Sequence, residues 1–444
     1  MAQAWQARLP GILVALAAAG VLWSWFALGP RNEVPAGATE ITCWHPWGGT
    51  STADFTAAIS EFNQSHPSLY ARTLFVTNDL ANSQKVYISV AGGVAPDVTF
   101  VDGPQVAEWA QRGILEPLDD LIAAAGITAD DYWPPCWQQT VYDGHVYALT
   151  YGADPNFGFF WNKDVFADAG LDPERPPRTL AEMDDYARRI TTVENGRLTR
   201  LGLIPWAVYG NANSMFTWGW AFGGEFYDAA SGAITADEAR NVAALEWVTS
   251  YARQYDITKI AGLQSTFGTA EQNPFIIGKL GMMPMTIGEV ANLRRFAPNL
   301  RYGVAPLPTP PGGVANSSWV GGWCMGIPRG ARGDRKASFE LMRWLCATPE
   351  GTRFVYRSTG SFPGYRRSPV YAELSADPVM AVFYDILKAC QHQRPVMPAQ
   401  AYYMGELERA VSSALYGNLT PQEALARARE RTQKHLDRML GKAK

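Results

Sequence analysis

The 444-residue sequence contains none of the short motifs that announce enzymatic chemistry: no G-x-S-x-G elbow, no P-loop, no H-E-x-x-H and no G-x-G-x-x-G after its first strand. Histidine is scarce, with five in all, and a single neighbour of the kind that Cys390 gives His392 is too little for a metal site. The five cysteines (Cys43, Cys136, Cys324, Cys346, Cys390) are odd in number and lack a C-x-x-C, so neither a disulfide framework nor a zinc site is signalled. At most two pairs can form, and small packing residues are the plainer reading. No cofactor is implied. Positive charge is lacking too: 38 Lys and Arg against 42 Asp and Glu give a formal net charge of −4, without the concentrated basic surface that a nucleic acid requires. The one basic cluster, Arg427, Arg429, Arg431 and Lys434, alternates with Glu430 and Asp437 as a solvated helix face does. Carboxylates are plentiful, and a facing pair across a cleft would make a glycosidase, which the sequence alone leaves open.

Long polar tracts are absent as well. Hydrophobic residues at 47% and charged residues at 18% describe a globular chain whose length calls for two domains. One long apolar run is present, residues 11–28 (GILVALAAAGVLWSWFAL) behind Arg8, and it marks residues 1–38 as a signal peptide or an N-terminal membrane anchor. Ala36-Gly37-Ala38 offers a cleavage site, and Cys43, preceded by Glu40-Ile41-Thr42, lacks a lipobox setting. The expectation is an exported protein of the periplasm or cell surface, tethered to the membrane if the segment is retained.

Beyond that segment, residues 40–45 read as a strand and a helix follows from about Thr52, where Phe55, Ile59 and Phe62 give one buried face. Residues 69–76 read as a second strand, 84–91 as helical and 97–102 as a third strand. This alternation predicts a parallel α/β sheet, and such sheets bind ligands beyond the carboxyl ends of their strands. Trp44 and Trp47, in WHPWGG (44–49), and Asp102 land there; Asp102 also reads as the N-cap of a helix starting near Gln105. Near Thr150 the texture changes, which we read as a crossing to a second lobe. Residues 205–228 concentrate aromatic rings without a helical period, and plain packing accounts for each ring singly. Residues 421–440 form an amphipathic helix. What the sequence has in quantity is tryptophan, 16 in all, with acids and amides near glycine turns. An indole covers the C–H face of a sugar ring while carboxylates and amides take its hydroxyls, so the pattern suits binding without reaction.

Several stretches together resemble the family 1 extracellular solute-binding proteins of ABC sugar importers: GGVAPDVTFVD (92–102), ILEPLDDLI (114–122), WNKDVFADAGLDPERPPRTLAEM (161–183), YGVAPLPTP (302–310), GGWCMGIPRG (321–330) and WLCATPEG (344–351). The ordered set covers almost the whole exported chain. The resemblance implies a type II periplasmic-binding-protein fold, two α/β lobes closing on ligand about a hinge, with an N-lobe over 39–150 and 321–370 and a C-lobe over 151–320 and 371–444. It implies a monomer that captures a mono- or oligosaccharide and delivers it to ABC permease subunits in the membrane.

By the same resemblance Asp102 faces the ligand, Asp154 and Asn156 lie in a crossing segment that supplies polar contacts, and Gly321 and Gly322 flank the cleft. Trp323 stands where relatives more often have a small residue, and Trp218 lies in a segment that supplies stacking rings. After GKLGMMP (278–284), where many sugar binders carry a tryptophan, this chain has Gly288-Glu289, so Glu289 is expected to bind a hydroxyl instead. The tyrosine of glycerol-phosphate binders is replaced by Ser361, and their basic phosphate contact finds a counterpart only in Arg394. A neutral saccharide is therefore favoured over glycerol 3-phosphate or another polyol. A sensor-coupled receptor and a glycan-active exported enzyme are the remaining alternatives.

Overall fold

The computed structural model describes residues 34–48, 50–77, 80–206 and 209–442. The apolar run 11–28 lies outside the described residues, among which no helix is long and apolar enough to cross a membrane. In the first part of the chain the elements that position the site are β1 (Thr39–His45), α1 (Thr50–Ser65), β2 (Leu69–Phe75), α2 (Leu80–Ala91), β3 (Val98–Asp102), α3 (Val106–Gln111), β4 (Leu149–Thr150), β5 (Gly152–Asn156) and β6 (Gly158–Asn162). Further on come α4 (Asn211–Ala221), β7 (Met282–Met285), α5 (Glu289–Phe296), β8 (Tyr302–Ala305), β9 (Trp319–Gly321), β10 (Trp323–Gly326), β11 (Phe362–Pro363), α6 (Pro378–Ala389), β12 (His392–Gln393), α7 (Gln400–Leu415) and α8 (Pro421–Met439).

The first lobe is built on a five-stranded sheet of order β2-β1-β3-β10-β4, with β1 parallel to both neighbours, as the strand-helix alternation predicts. Ile41, Cys43 and His45 point to one face of β1 and pack with Phe55, Ile59 and Phe62 of α1, so the helix buries the stripe read from its spacing. The second sheet, β7-β6-β8, is antiparallel. Its central strand GFFWN is buried on both faces: Phe159 and Trp161 point into the second lobe's core and Phe160 points the other way, toward Phe275 and Phe383. Between the lobes lies a four-stranded sheet, β11-β5-β9-β12, assembled from distant parts of the chain. The core of the first lobe continues through this sheet to α6, where Phe383, Ile386 and Leu387 belong to the same packed cluster as Phe55 and Phe100.

The aromatic region 205–228 resolves into α4, a helix buried on every side from Ala212 to Ala221, which explains why no amphipathic period marked it. α8 begins at Thr420, whose side chain accepts from the Glu423 amide while Glu423 reaches back, a capping box with Pro421 in the first turn. Among the described residues the five cysteines are buried and unpaired.

Candidate functional site

The carboxyl edge of the first sheet, the interlobe strands and the second lobe enclose a cavity of about 820 Å³. Trp47, Asp102, Asp154, Asn156, Glu289, Gly321, Gly322, Trp323 and Arg394 line it, nine of the positions singled out in the sequence. Trp47 sits in the turn after β1. Its backbone N–H donates to His45 Nδ1 at 3.3 Å, and burial pushes the His45 imidazole down to about 4, so the ring stays neutral and free to accept. The Trp47 indole meets Phe100 edge-on at 5.4 Å and Trp323 edge-on at 5.6 Å, and its own N–H is buried with no partner among the described residues. Trp323 is carried by β10 opposite Asp102, so ring and carboxylate enter from adjacent strands in register.

Asp102 occupies the N-cap position of the short turn Gly103–Gln105, yet its side chain caps nothing. It accepts instead from Arg394 Nη2, at 2.8 Å through Oδ1 and 2.7 Å through Oδ2. The Arg394 guanidinium lies 5.5 Å over the Trp319 ring, and its Nε–H is buried without a partner among the described residues. Asp154, on β5, is pushed up to about 6 by burial, with the negative charge of Asp102 adding to the effect and a hydrogen bond from Ser361 and the charge of Arg394 opposing it. Glu289 opens α5 and accepts from the Asn292 amide at 3.3 Å. Gly322 holds φ +142°, and a Cβ there would lie 1.9 Å from the Gly152 carbonyl, so only glycine lets β9 pass into β10 beside the interlobe strand.

Two expected residues do not reach the cavity. Trp44 points to the opposite face of β1 from Cys43 and His45, against the cluster of Val86 and Trp109, with the Lys85 ammonium 5.0 Å from its ring. Trp218 is fully buried, packs on Trp247 at 4.6 Å and donates its indole N–H to the Pro205 carbonyl at 2.9 Å. The five-residue offset from Asn213 turns it to the far side of α4, and Asn213 is the α4 residue that lines the cavity.

Sequence reasoning passed over Trp319, Tyr209, Asn213, Tyr356 and Arg357, all of which line the cavity. Only Trp319 had a readable signal: two residues before Gly321 on one strand, it shares that glycine's face. Among the described residues no group of His, Cys, Asp and Glu is placed to hold a metal ion, and His392 stacks on Trp220 at 5.0 Å.

The model of the bacterial extracellular solute-binding protein family matches residues 57–382. The sn-glycerol-3-phosphate-binding periplasmic protein UgpB of Pectobacterium atrosepticum is 23% identical over 417 residues, covering 89% of this chain and 90% of that one. The maltotriose-binding protein of Pyrococcus abyssi is 22% identical over 405 residues, covering 86% and 79%. Among solved structures, CpMnBP1 with mannotriose bound aligns with a TM-score of 0.78 at 24% identity, over 89% of this chain and 100% of that one. UgpB of Mycobacterium tuberculosis in complex with glycerophosphocholine aligns with a TM-score of 0.72 at 23% identity, over 91% and 100%. These likenesses establish the two-lobed fold.

Proposed function

This chain belongs to the bacterial extracellular solute-binding proteins, and from that premise we propose that it captures a neutral oligosaccharide between its lobes and hands it, unreacted, to a membrane permease. The observation that carries the reading is the company kept by the unpaired polar groups of the cleft. The Trp47 indole N–H and the Arg394 Nε–H are donors, Asn213 Oδ1 is an acceptor, and all three belong to residues that line the cavity together with Trp319, Trp323 and Tyr209. Sugar hydroxyls both donate and accept, while their C–H faces cover indole, so one class of ligand satisfies both sets. A cavity of about 820 Å³ falls in the upper part of the range for small-molecule sites, which favours a ligand of more than one ring.

In this reading Trp47, Trp323 and Trp319 supply the stacking surface, and Asp102, Asp154, Asn156 and Glu289 take hydroxyls. The N-lobe comprises residues 39–150 and 321–370, the C-lobe the remainder of the exported chain, and the protein works as a monomer with its N-terminal segment either removed or retained as a tether. Charge supports a neutral ligand, because Asp102 already engages Arg394. One observation favours a second reading, a glycerol phosphate ester: Arg357 lines the cavity, is exposed and has no ion-pair partner among the described residues. Titration calorimetry with neutral di- and trisaccharides and with sn-glycerol 3-phosphate and its diesters separates the two. Binding of a neutral saccharide with no response to the phosphates is the expected result; binding of the phosphates alone refutes it. Incubation with the bound saccharide leaves its reducing ends unchanged, whereas turnover would overthrow the non-enzymatic reading.

A further inference from the structure

Asn213 is the residue by which the buried helix α4 reaches the cavity, and what holds it there comes from another helix. α4 begins after Gly210, which brings no side chain to cap it, so its first amides have no acceptor within their own helix. The Glu408 carboxylate of α7 supplies one: Asn211 N–H donates to Oε2 at 3.2 Å and Ala212 N–H to Oε1 at 2.9 Å. Its negative charge also suits the partial positive charge of a helix N-terminus. The approach depends on the glycine. Gly210 holds φ +93°, and a Cβ there would lie 2.8 Å from Glu408 Oε1. Tyr209, before it, is also at positive φ, 55°, which is uncommon for an aromatic residue. A turn that its own residues disfavour is thus tied down by a carboxylate 197 residues beyond Asn211.

Asn213 hangs from that turn. Its Nδ2 donates to the Tyr209 carbonyl at 2.9 Å, and because a carbonyl only accepts, this bond fixes which way round the amide sits. Oδ1 is left buried and without a partner among the described residues, in a side chain that lines the cavity. We propose that Glu408 is a positioning residue for ligand specificity: by holding the Tyr209–Gly210 turn against the start of α4 it makes Asn213 offer an acceptor to a ligand hydroxyl. Glu408 does not line the cavity, so it acts by raising the fraction of molecules in which the turn is formed and not by touching the ligand. This role rests on the cleft being the ligand site, as proposed above, but not on the ligand being a saccharide, since any hydroxyl serves Oδ1.

Exchange and affinity are both measured on the full chain. In the ligand-free protein, Glu408→Ala should lower the hydrogen-exchange protection of the Asn211 and Ala212 amides about tenfold or more, the effect of a hydrogen bond to a charged group. Affinity is read by calorimetry with maltotriose or with sn-glycerol 3-phosphate, whichever the parent binds. Glu408→Ala should weaken it about fivefold to tenfold, and Glu408→Gln, which keeps one acceptor oxygen, should fall between that variant and the parent. In an Asn213→Ala background Glu408→Ala should weaken binding no further, because the group it positions is gone. Glu423→Ala removes a cap of the same kind from α8, outside the cavity lining, and should lower the melting temperature with parental affinity. Unchanged exchange in Glu408→Ala overturns the proposal, as does an affinity loss that persists in full beside Asn213→Ala or is matched by Glu423→Ala. Should Glu408→Ala not fold, the same cycle is run with Glu408→Gln, whose smaller loss must likewise vanish beside Asn213→Ala. A parent that binds only the phosphate ester refutes the saccharide reading and leaves the role of Glu408 to be measured on that ligand.

Discussion

The two walls of the cleft are built differently. On the first lobe, Trp47 is 9% exposed and wedged among Phe100, Tyr151 and Trp323 on a mixed sheet, parallel at β2-β1-β3 and antiparallel at β3-β10-β4, and its backbone is pinned by His45. On the second, Tyr209 is 72% exposed in a left-handed backbone conformation, and Glu289 accepts a 3.3 Å hydrogen bond from Asn292 of its own helix. The first wall is closely packed and the second is more exposed. On the proposed function, the packed wall would set which ligand enters, while the exposed wall would add contacts as the lobes close.

The comparison is broken most directly at Trp47. Trp47→Ala should lower saccharide affinity about a hundredfold or more, as removal of a central aromatic anchor does, and should cost about 3 kcal/mol of stability from the cavity left among three rings. Calorimetry and a denaturant melt measure the two effects, and an affinity within a few-fold of the parent would remove the packed wall from the site. Asp102→Ala comes next, with a loss of about 10- to 100-fold in affinity, the worth of one charged hydrogen bond. Because it also leaves Arg394 without its carboxylate, Asp102→Asn, which keeps an acceptor, should lose less.

The same contrast explains how much could be read in advance. The first lobe was legible because its pattern is local: alternating strand and helix place 44–49 and residue 102 at a known edge, and the strands and helices appear within a few residues of their expected bounds. The wall of the second lobe was not. α4 is buried on all sides, so its eleven residues carry no amphipathic signal, and the residue that faces the ligand space is Asn213 and not the conspicuous Trp218. Arg394 was found only through family resemblance, and its partner, 292 residues earlier in the chain, has no local signature at all.

Sharpening the comparison means testing the exposed wall. Glu289→Gln should weaken binding by less than about tenfold, since a partly exposed hydrogen bond is worth about 1 kcal/mol, and a loss equal to that of Asp102→Ala would erase the distinction between the walls. Between the walls, Asp154 offers a pH test. Its folded-state carboxyl titrates near 6 because of burial, above the ordinary aspartate value of 3.8. The folded protein therefore holds a proton that the unfolded chain has already lost, and stability falls as pH rises from about 4 to 6, then levels off. Asp154→Asn removes that slope, so its stability relative to the parent should increase with pH over the same window. The gain is bounded at about 3 kcal/mol and is smaller in practice because the carboxyl meets water on its cleft side.

The smallest expected effect is the most telling about strand geometry. Trp44 and Trp47 stand three residues apart and look equivalent in sequence, both tryptophans at the end of the first strand. The pleat sends Trp44 to the α2 side, where the Lys85 ammonium covers it, and the turn sends Trp47 into the cleft. Trp44→Ala should therefore leave saccharide affinity unchanged while lowering the melting temperature through lost packing on Val86 and Trp109. If Trp44→Ala instead weakened binding as much as Trp47→Ala, the wall would owe its action to the bulk stability of the sheet and not to a ring that faces the cleft.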